Sequence, residues 1–266
     1  MFREERKSFS LLDEEDFDAL EEKDHEFLNS QGANYYNNGD YAEARVYYEI
    51  SASMGNRDAI TNLGYMYMYG KDSPIDYSVA KALFILGAKK GSIDAYYKLG
   101  NMYQSGKGVI QDIPKAMNYY DKALELLEKE DKADPADYPS LFFTLGREYM
   151  PGGAKEENIG RACDYLLIAE EGYEKQIEDY HAKYYKDILE ETRKLLRDDV
   201  FTSMREQEVP KPIYNLYEDE YRMKGTEITG VLVKAYYSYE HQETIYILED
   251  KDHDLHDVLE SRIEEI

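Results

Sequence analysis

Five of the eight residues in "LGYMYMYG", positions 63–70, return 36 positions later in "LGNMYQSG", positions 99–106. Leu63, Gly64, Met66, Tyr67 and Gly70 map onto Leu99, Gly100, Met102, Tyr103 and Gly106. At the same step Gly55, Ala59, Asp76 and Ala80 return as Gly91, Ala95, Asp112 and Ala116. A further step of 46 reaches "LGREYMPG", with Leu145, Gly146, Tyr149 and Gly152, followed by Ala162, Tyr165 and Ala169. The ten additional residues fall near "EKEDKADPADYP", a polar stretch with two prolines that reads as a loop insertion. Upstream, Gly32 and Tyr35 keep the spacing of Gly64 and Tyr67, and Ala44 precedes Ala80 by 36, which gives a shorter first unit. Four units at this spacing constrain the chain to a stacked array.

The spacing inside each unit is helical. Ala59, Leu63 and Tyr67 recur every four residues, as do Ala95, Leu99 and Tyr103. The alternation in "YMYMY" is therefore expected to lie on a helix, with Met66 and Tyr67 inward and Tyr65 and Met68 pointing elsewhere. Gly64, Gly100 and Gly146 fall mid-helix, where glycine costs up to about 1 kcal/mol relative to alanine. Repetition of that cost predicts a close helix crossing, with Ala80, Ala116 and Ala162 as the facing surface. Gly70, Gly106 and Gly152 are placed to end the first helix of each pair. Asp112 is placed to cap the following helix, with Pro114 in its first turn.

"DAYYKLGNMYQSGKGVIQDIPKAMNYYDKALEL" resembles a Sel-one-like repeat, the long-loop relative of the tetratricopeptide repeat, and the likeness extends over residues 27–170. The first unit, with "NNGDYAEA", is closer to an ordinary tetratricopeptide repeat, and Leu141 and Pro151 depart from the pattern in the fourth. The resemblance implies a right-handed α-α superhelix of antiparallel helix pairs. It also implies adaptor or scaffold work through a concave face, with no catalytic residues to carry over. Some relatives bridge the helices of a pair by disulfides; Cys163 is the single cysteine here.

The chain thus reads as mainly α, in four segments. Residues 1–26 form an acidic capping segment, residues 27–171 the four repeats, residues 172–207 a C-terminal capping helix or two, and residues 208–266 a small antiparallel β module. Tyr180, Tyr184, Ile188, Leu195 and Leu196 are the expected inward residues of the C-terminal cap. Pro210 and Pro212 mark the last boundary. "TEITGVLVKAYYSY" and "ETIYILED" have strand composition, with "HDVLESRIEEI" as a third strand of a barrel-like module.

Of the 24 excess negative charges, 17 sit on the flanks: residues 1–30 hold 4 basic and 11 acidic side chains, and residues 197–266 hold 8 and 18. Such a surface repels phosphates and argues against nucleic acid. It is compatible with a basic protein partner and with plain solubility. No apolar run is long enough for a membrane helix, and the start lacks a secretory h-region, so a cytoplasmic protein is expected.

Candidate chemistry is sparse, and neither a cofactor nor a metal site is expected. "GKG" at 106–108 lacks phosphate-loop spacing. His25, His181 and His241 are scattered, so Cys163 reads as a small buried side chain. "DKDHDLHDVLE" holds His253 and His256 three apart, which on a helix would share a face. A calcium loop there is spoiled by Leu255 at the glycine position and Ser261 at the glutamate position. A metal-dependent sensor or enzyme built on these histidines is one alternative function. Self-association through an exposed strand of the β module is another.

The leading reading is a non-enzymatic scaffold that grips a peptide or protein segment in its concave groove. Its contact residues are the first-helix positions that the core does not dictate: Asn34, Asn62, Tyr65, Tyr69, Lys98, Asn101 and Arg147. Tyrosine, asparagine and arginine combine contact area with hydrogen bonding.

Overall fold

The computed structural model describes residues 12, 14–130, 134–179, 185–205, 214, 216–217 and 220–265. They form two compact units that divide between Leu126 and Leu127. In the first, α1 (Glu14–Glu22) precedes three helical hairpins: α2 (His25–Asn38) with α3 (Tyr41–Ser53), α4 (Arg57–Tyr69) with α5 (Tyr77–Lys89), and α6 (Ile93–Ser105) with α7 (Ile113–Leu127). The "LGYMYMYG" stretch lies on α4.

Caps set these boundaries. Asn56 accepts the N–H groups of Asp58 and Ala59, Asp76 those of Ser78 and Val79, and Ser92 that of Ala95. Asp112 accepts the N–H of Lys115. α4 and α6 stop at Gly70 and Gly106, whose φ of +66° and +71° is left-handed and favours glycine. The following loop then folds back on the helix it leaves. The N–H of Asp76 donates to the carbonyl of Tyr67, and that of Asp112 to the carbonyl of Tyr103, both at 2.9 Å.

The mid-helix glycines do mark close crossings, but their partners differ from those the spacing predicts. Ala44, Ala80 and Ala116 are fully buried. What lies over each glycine, however, is the large side chain one turn after the alanine. A Cβ on Gly32 would meet Tyr48 at 2.7 Å, one on Gly64 would meet Phe84 at 2.6 Å, and one on Gly100 would meet Tyr120 at 2.3 Å. The second helix thus seats an aromatic ring in a notch of the first, and the alanine lets the backbones approach closely enough for the ring to reach.

Met68 also departs from expectation, because it is buried along with Met66. Two residues apart, the pair lie nearly opposite each other on a helix. Met66 packs with Ala44, Tyr48, Ala59 and Leu63, towards the preceding hairpin. Met68 packs with Ala80, Phe84, Ala95 and Leu99, towards the following one. An inner helix is clasped from both sides. At the start of the stack, α1 lays Phe17 and Ala19 on Leu28 and Tyr47, and buried Asp16 accepts the Tyr47 hydroxyl at 2.5 Å.

The second unit contains α8 (Pro139–Glu148), α9 (Ile159–Asp179), α10 (Lys186–Leu196), α11 (Asp199–Arg205) and a sheet of β1 (Glu220–Met223), β2 (Thr229–Ser238), β3 (Glu243–Asp250), β4 (Leu255–Leu259) and β5 (Ile263–Glu265). The α8–α9 hairpin repeats the notch: Gly146 faces Leu166, and Ala162 is buried. Asn158 donates back to the Tyr149 carbonyl as Asp76 and Asp112 do in their hairpins. α9 continues unbroken beyond residue 171. Arg193 of α10 holds it there through Glu170, at 3.0 Å, and Glu174. Leu189 and Leu196 are buried, Ile188 and Leu195 are half-buried, and Tyr180 and Tyr184 lie outside the described residues.

All sheet pairings are antiparallel, in the order β4-β3-β2-β1-β5, so among the described residues the module is an open sheet and not the barrel-like one expected. Tyr221, Leu232, Tyr246, Leu248, Val258 and Ile263 form its core. The last segment supplies two strands where one was expected, because a 3-10 turn at Glu260–Arg262 divides it. The sheet is fastened to α9 at the β2–β3 turn. Asp164 accepts from the Ser238 hydroxyl and the Tyr239 N–H, both at 2.7 Å, and from the Glu240 N–H at 3.0 Å. Arg161 pairs with Glu240, and Gly160 leaves space for the Tyr239 carbonyl.

Two outcomes follow. In an exposed helix Gly→Ala stabilises, but Gly100→Ala should destabilise by about 1–3 kcal/mol, because buried Tyr120 has no room to retreat. Urea unfolding of the single variants and of Gly100→Ala/Tyr120→Leu measures this, and the double variant should recover part of the loss. Asp164→Ala should cost about 2–3 kcal/mol and strip hydrogen-exchange protection from the Tyr239 and Glu240 amides. Retained protection at both amides would refute the fastening role.

Candidate functional site

The candidate residues on α2, α4 and α6 sit at helix positions that neither neighbouring hairpin covers completely. The Asn62 amide donates to Asn29 Oδ1 at 3.1 Å, joining α4 to α2. Lys98 joins α6 to α4, with its ammonium 4.7 Å from the centre of the Tyr65 ring and 4.9 Å from that of Tyr97. Tyr65 stacks against Tyr69 at 6.2 Å and presents its edge to Phe84 at 5.7 Å. Tyr69 keeps 49% of its surface open to solvent, while crowding by protein, then by Tyr97, Tyr36 and Tyr77, raises its hydroxyl above the usual tyrosine range.

The structure therefore brings Tyr65, Tyr69 and Lys98 into one network, with Asn62 one turn before Tyr65 on α4 and bonded to Asn29. Asn101 lies one turn beyond Lys98, and its side-chain carbonyl accepts the Tyr120 hydroxyl at 2.6 Å, which fixes its orientation. Asn34 is exposed on α2, outside this network. Arg147 belongs to the second unit. It lies 3.6 Å from Glu191 and 5.6 Å from the centre of the Phe143 ring.

Three participants escape a reading of the sequence. Asn29 is recognisable only once α2 and α4 are laid side by side. Tyr97 is buried on α6 at a position that holds Thr61 one unit earlier, so the repeat does not mark it. Asp94 precedes Lys98 by one turn, a spacing that does signal a pair. Asp94 is exposed, yet crowding by protein around it raises its carboxyl above the usual range, Lys98 opposes that shift, and Asp58 adds to it. The surface thus presents amides, phenol rings and one ammonium with adjacent carboxylates, a set suited to holding a polypeptide.

The segment with His253 and His256 is arranged differently from the helix face envisaged for it. His253 stands in the turn after β3 with φ +65°, and His256 is on β4. Each ring meets its own carboxylate: His253 Nδ1 lies 2.5 Å from Glu249, and His256 Nε2 lies 2.9 Å from Asp250. Among the described residues no group of three or more histidine, cysteine, aspartate or glutamate side chains is placed to hold a metal. Cys163 takes part in no disulfide and is fully buried with Ala162, Leu166, Leu196 and Phe201.

The Lys98 ammonium is pushed down from 10.5 to about 8, chiefly by loss of water around it; Asp94 opposes this and Lys107 adds to it. Between those values the unfolded chain binds more protons at this site than the folded one, so stability rises with pH through the window. Lys98→Met should remove this part of the rise. The stability difference between variant and wild type, from urea unfolding at several pH values, should change steadily between about pH 8 and 10.5. A difference independent of pH would contradict the shift.

Comparison with known proteins agrees with this architecture. The Sel1 repeat model matches residues 32–56, 57–92 and 93–126. Those boundaries follow the three hairpins of the first unit from Gly32 onward. None of the curated proteins compared with the chain matches it. Among solved structures, a Sel1 repeat protein from Oxalobacter formigenes is 24% identical with a TM-score of 0.45, over 56% of this chain and 58% of that one. A protective antigen of uropathogenic Escherichia coli strains, displaying an SLR fold, is 26% identical with a TM-score of 0.45, over 58% and 33%. The chain thus spans under two thirds of each of these two. No helix among the described residues is long and apolar enough to cross a membrane. Sel1 repeats generally serve as protein–protein interaction scaffolds. Residues 32–126 thus carry three Sel1 repeats, each folded as one of the helical hairpins described above.

Proposed function

We propose that the protein is a non-enzymatic cytoplasmic adaptor that holds a peptide or protein segment against the exposed face of α2, α4 and α6. The observation that carries this reading is lateral continuity. Asn29–Asn62 and Tyr65–Lys98 link successive first helices, so an extended ligand crossing them would meet donors, acceptors and rings in sequence. Asn62 and Asn101 supply amides for a ligand backbone, and Tyr65 and Tyr69 supply contact area. Asn34 extends the surface on α2, and Arg147, in the second unit, is a separate candidate contact. The acidic balance of the chain, with Asp58 and Asp94 at the N-terminal ends of α4 and α6, favours a basic segment. No residue in this reading acts as acid, base or nucleophile, and no cofactor enters it.

The test is residue-specific capture. A photo-reactive amino acid at position 69 should cross-link a discrete partner. Recovery of that partner should fall at least tenfold in Asn62→Ala/Tyr69→Ala/Asn101→Ala, the loss of about one interaction hot spot. Circular dichroism should show the variant to be helical. Equal recovery by the folded variant would end the proposal, and a partner segment rich in acidic residues would remove the basic preference.

A further inference from the structure

The outer face of α5 departs from the rest of this acidic chain. Residues 77–93 contain three lysines and no carboxylate, whereas the whole protein has 56 acidic against 32 basic side chains. Outward on α5 lie Ala82, Ile85, Leu86, Lys89 and Lys90, all exposed, with Lys81 half-buried beside them. Ile85 and Leu86 are 38% and 44% exposed, and they sit side by side at helical spacing with Ala82 and Lys89.

The repeat itself supplies a control. One step earlier, on α3, the positions of Ile85 and Lys89 hold Glu49 and Ser53, both exposed. One step later, on α7, the positions of Ile85, Leu86 and Lys89 hold Asp121, Lys122 and Glu125, again exposed. The fold therefore does not ask for apolar side chains there. Leu86 differs in this from Ile50, its counterpart on α3, which packs against the cluster around Leu28 and Tyr47. The lysines also make no ion pair among the described residues, and the Lys90 ammonium reaches only towards Gly55, to within 3.4 Å of where a Cβ would stand.

From this we infer that the outer face of α5 is a second docking surface, independent of the first-helix face, and that its occupant is an acidic amphipathic helix of a partner protein. Ile85, Leu86 and Ala82 receive the apolar stripe of that helix, and Lys81, Lys89 and Lys90 meet its carboxylates. The overall negative charge does not prevent this. At physiological ionic strength a charge is screened beyond about 8 Å, so the local lysines decide the contact. A second copy packed α5 against α5 is disfavoured, because the like-charged lysines of the two faces would oppose each other.

Two synthetic helical peptides test the inference, each with leucines along one face, one carrying glutamates and the other lysines on the opposite face. Fluorescence anisotropy with the full chain at about 0.15 M salt should show the glutamate peptide bound at least tenfold more tightly. Ile85→Ser/Leu86→Ser should weaken that binding at least tenfold, as should Lys89→Glu/Lys90→Glu, and raised salt should weaken it too. These residues are exposed, so circular dichroism and unfolding midpoint should stay at wild-type values. Asn62→Ala/Tyr69→Ala/Asn101→Ala should leave binding intact, which separates this surface from the one in the adaptor reading. Equal affinity for both peptides, or indifference to the α5 substitutions, overturns the inference. So does light scattering that shows a dimer abolished by Ile85→Ser/Leu86→Ser.

Discussion

The arrangement depends on one contact, a bulky side chain seated where a helix has no Cβ. It recurs as Gly32 with Tyr48, Gly64 with Phe84, Gly100 with Tyr120 and Gly146 with Leu166. A mid-helix glycine costs up to about 1 kcal/mol. Full burial of a large apolar side chain contributes roughly 1.5–3 kcal/mol, so the notch is favourable as a unit though its glycine alone is not. It also fixes register. Sliding either helix by one residue would drive the ring into an ordinary Cβ. Loop length is then free to vary: the glycine and its partner are 16 residues apart in the first hairpin and 20 in the other three, with the same contact at the end.

The notch also places the candidate binding residues. Tyr65, Asn101 and Arg147 each follow a notch glycine by one position. Phe84, which fills the Gly64 notch, meets Tyr65 edge-on, and Tyr120, which fills the Gly100 notch, donates its hydroxyl to Asn101. The side chain that locks the hairpin thus orients the first outward residue beside it. An exposed side chain held by a buried one loses less freedom when it binds, which is how a repeat with modest polar contacts becomes a selective surface. In α8 the notch is filled by aliphatic Leu166, and Arg147 is instead steadied by Phe143 and Glu191.

Much of this was legible in the sequence because the repeat turns local residues into positional evidence. The 36-residue step identified the helices, the glycines that stop α4 and α6, and the cap at Asp112, whereas α8 ends at Glu148, ahead of Gly152. What the repeat could not show is which of two nearby residues faces a glycine. Alanine and the ring four residues later lie on the same stripe, and size alone favoured the alanine. Met68 was misjudged for a related reason: one helix has one apolar stripe in isolation but two when neighbours clasp it. The sheet was only partly readable, since β1 and β5 have four and three residues and carry charges among their apolar positions. The fastening through Asp164 joins residues 74 to 76 apart in the chain, and no local pattern announces it.

The same regularity separates structure from function at the surface. In an array whose core positions are prescribed, a residue that keeps its type from unit to unit answers to packing, and one that changes type is free to answer to something else. Tyr67, Tyr103 and Tyr149 keep their place, and each has a cation above its ring: Arg45, Lys115 and Lys155. Their aromaticity is spent within the fold. Tyr69, by contrast, gives way to Ser105 one unit on, and Ile85 gives way to Asp121. Tyr69 and Ile85 are also among the large apolar side chains the fold leaves exposed. Variability and exposure are separate measurements, one taken from the sequence and one from the structure. They meet at Tyr69 on α4 and at Ile85 on α5, the two helices of one hairpin, and neither residue is the one that fills the Gly64 notch between them.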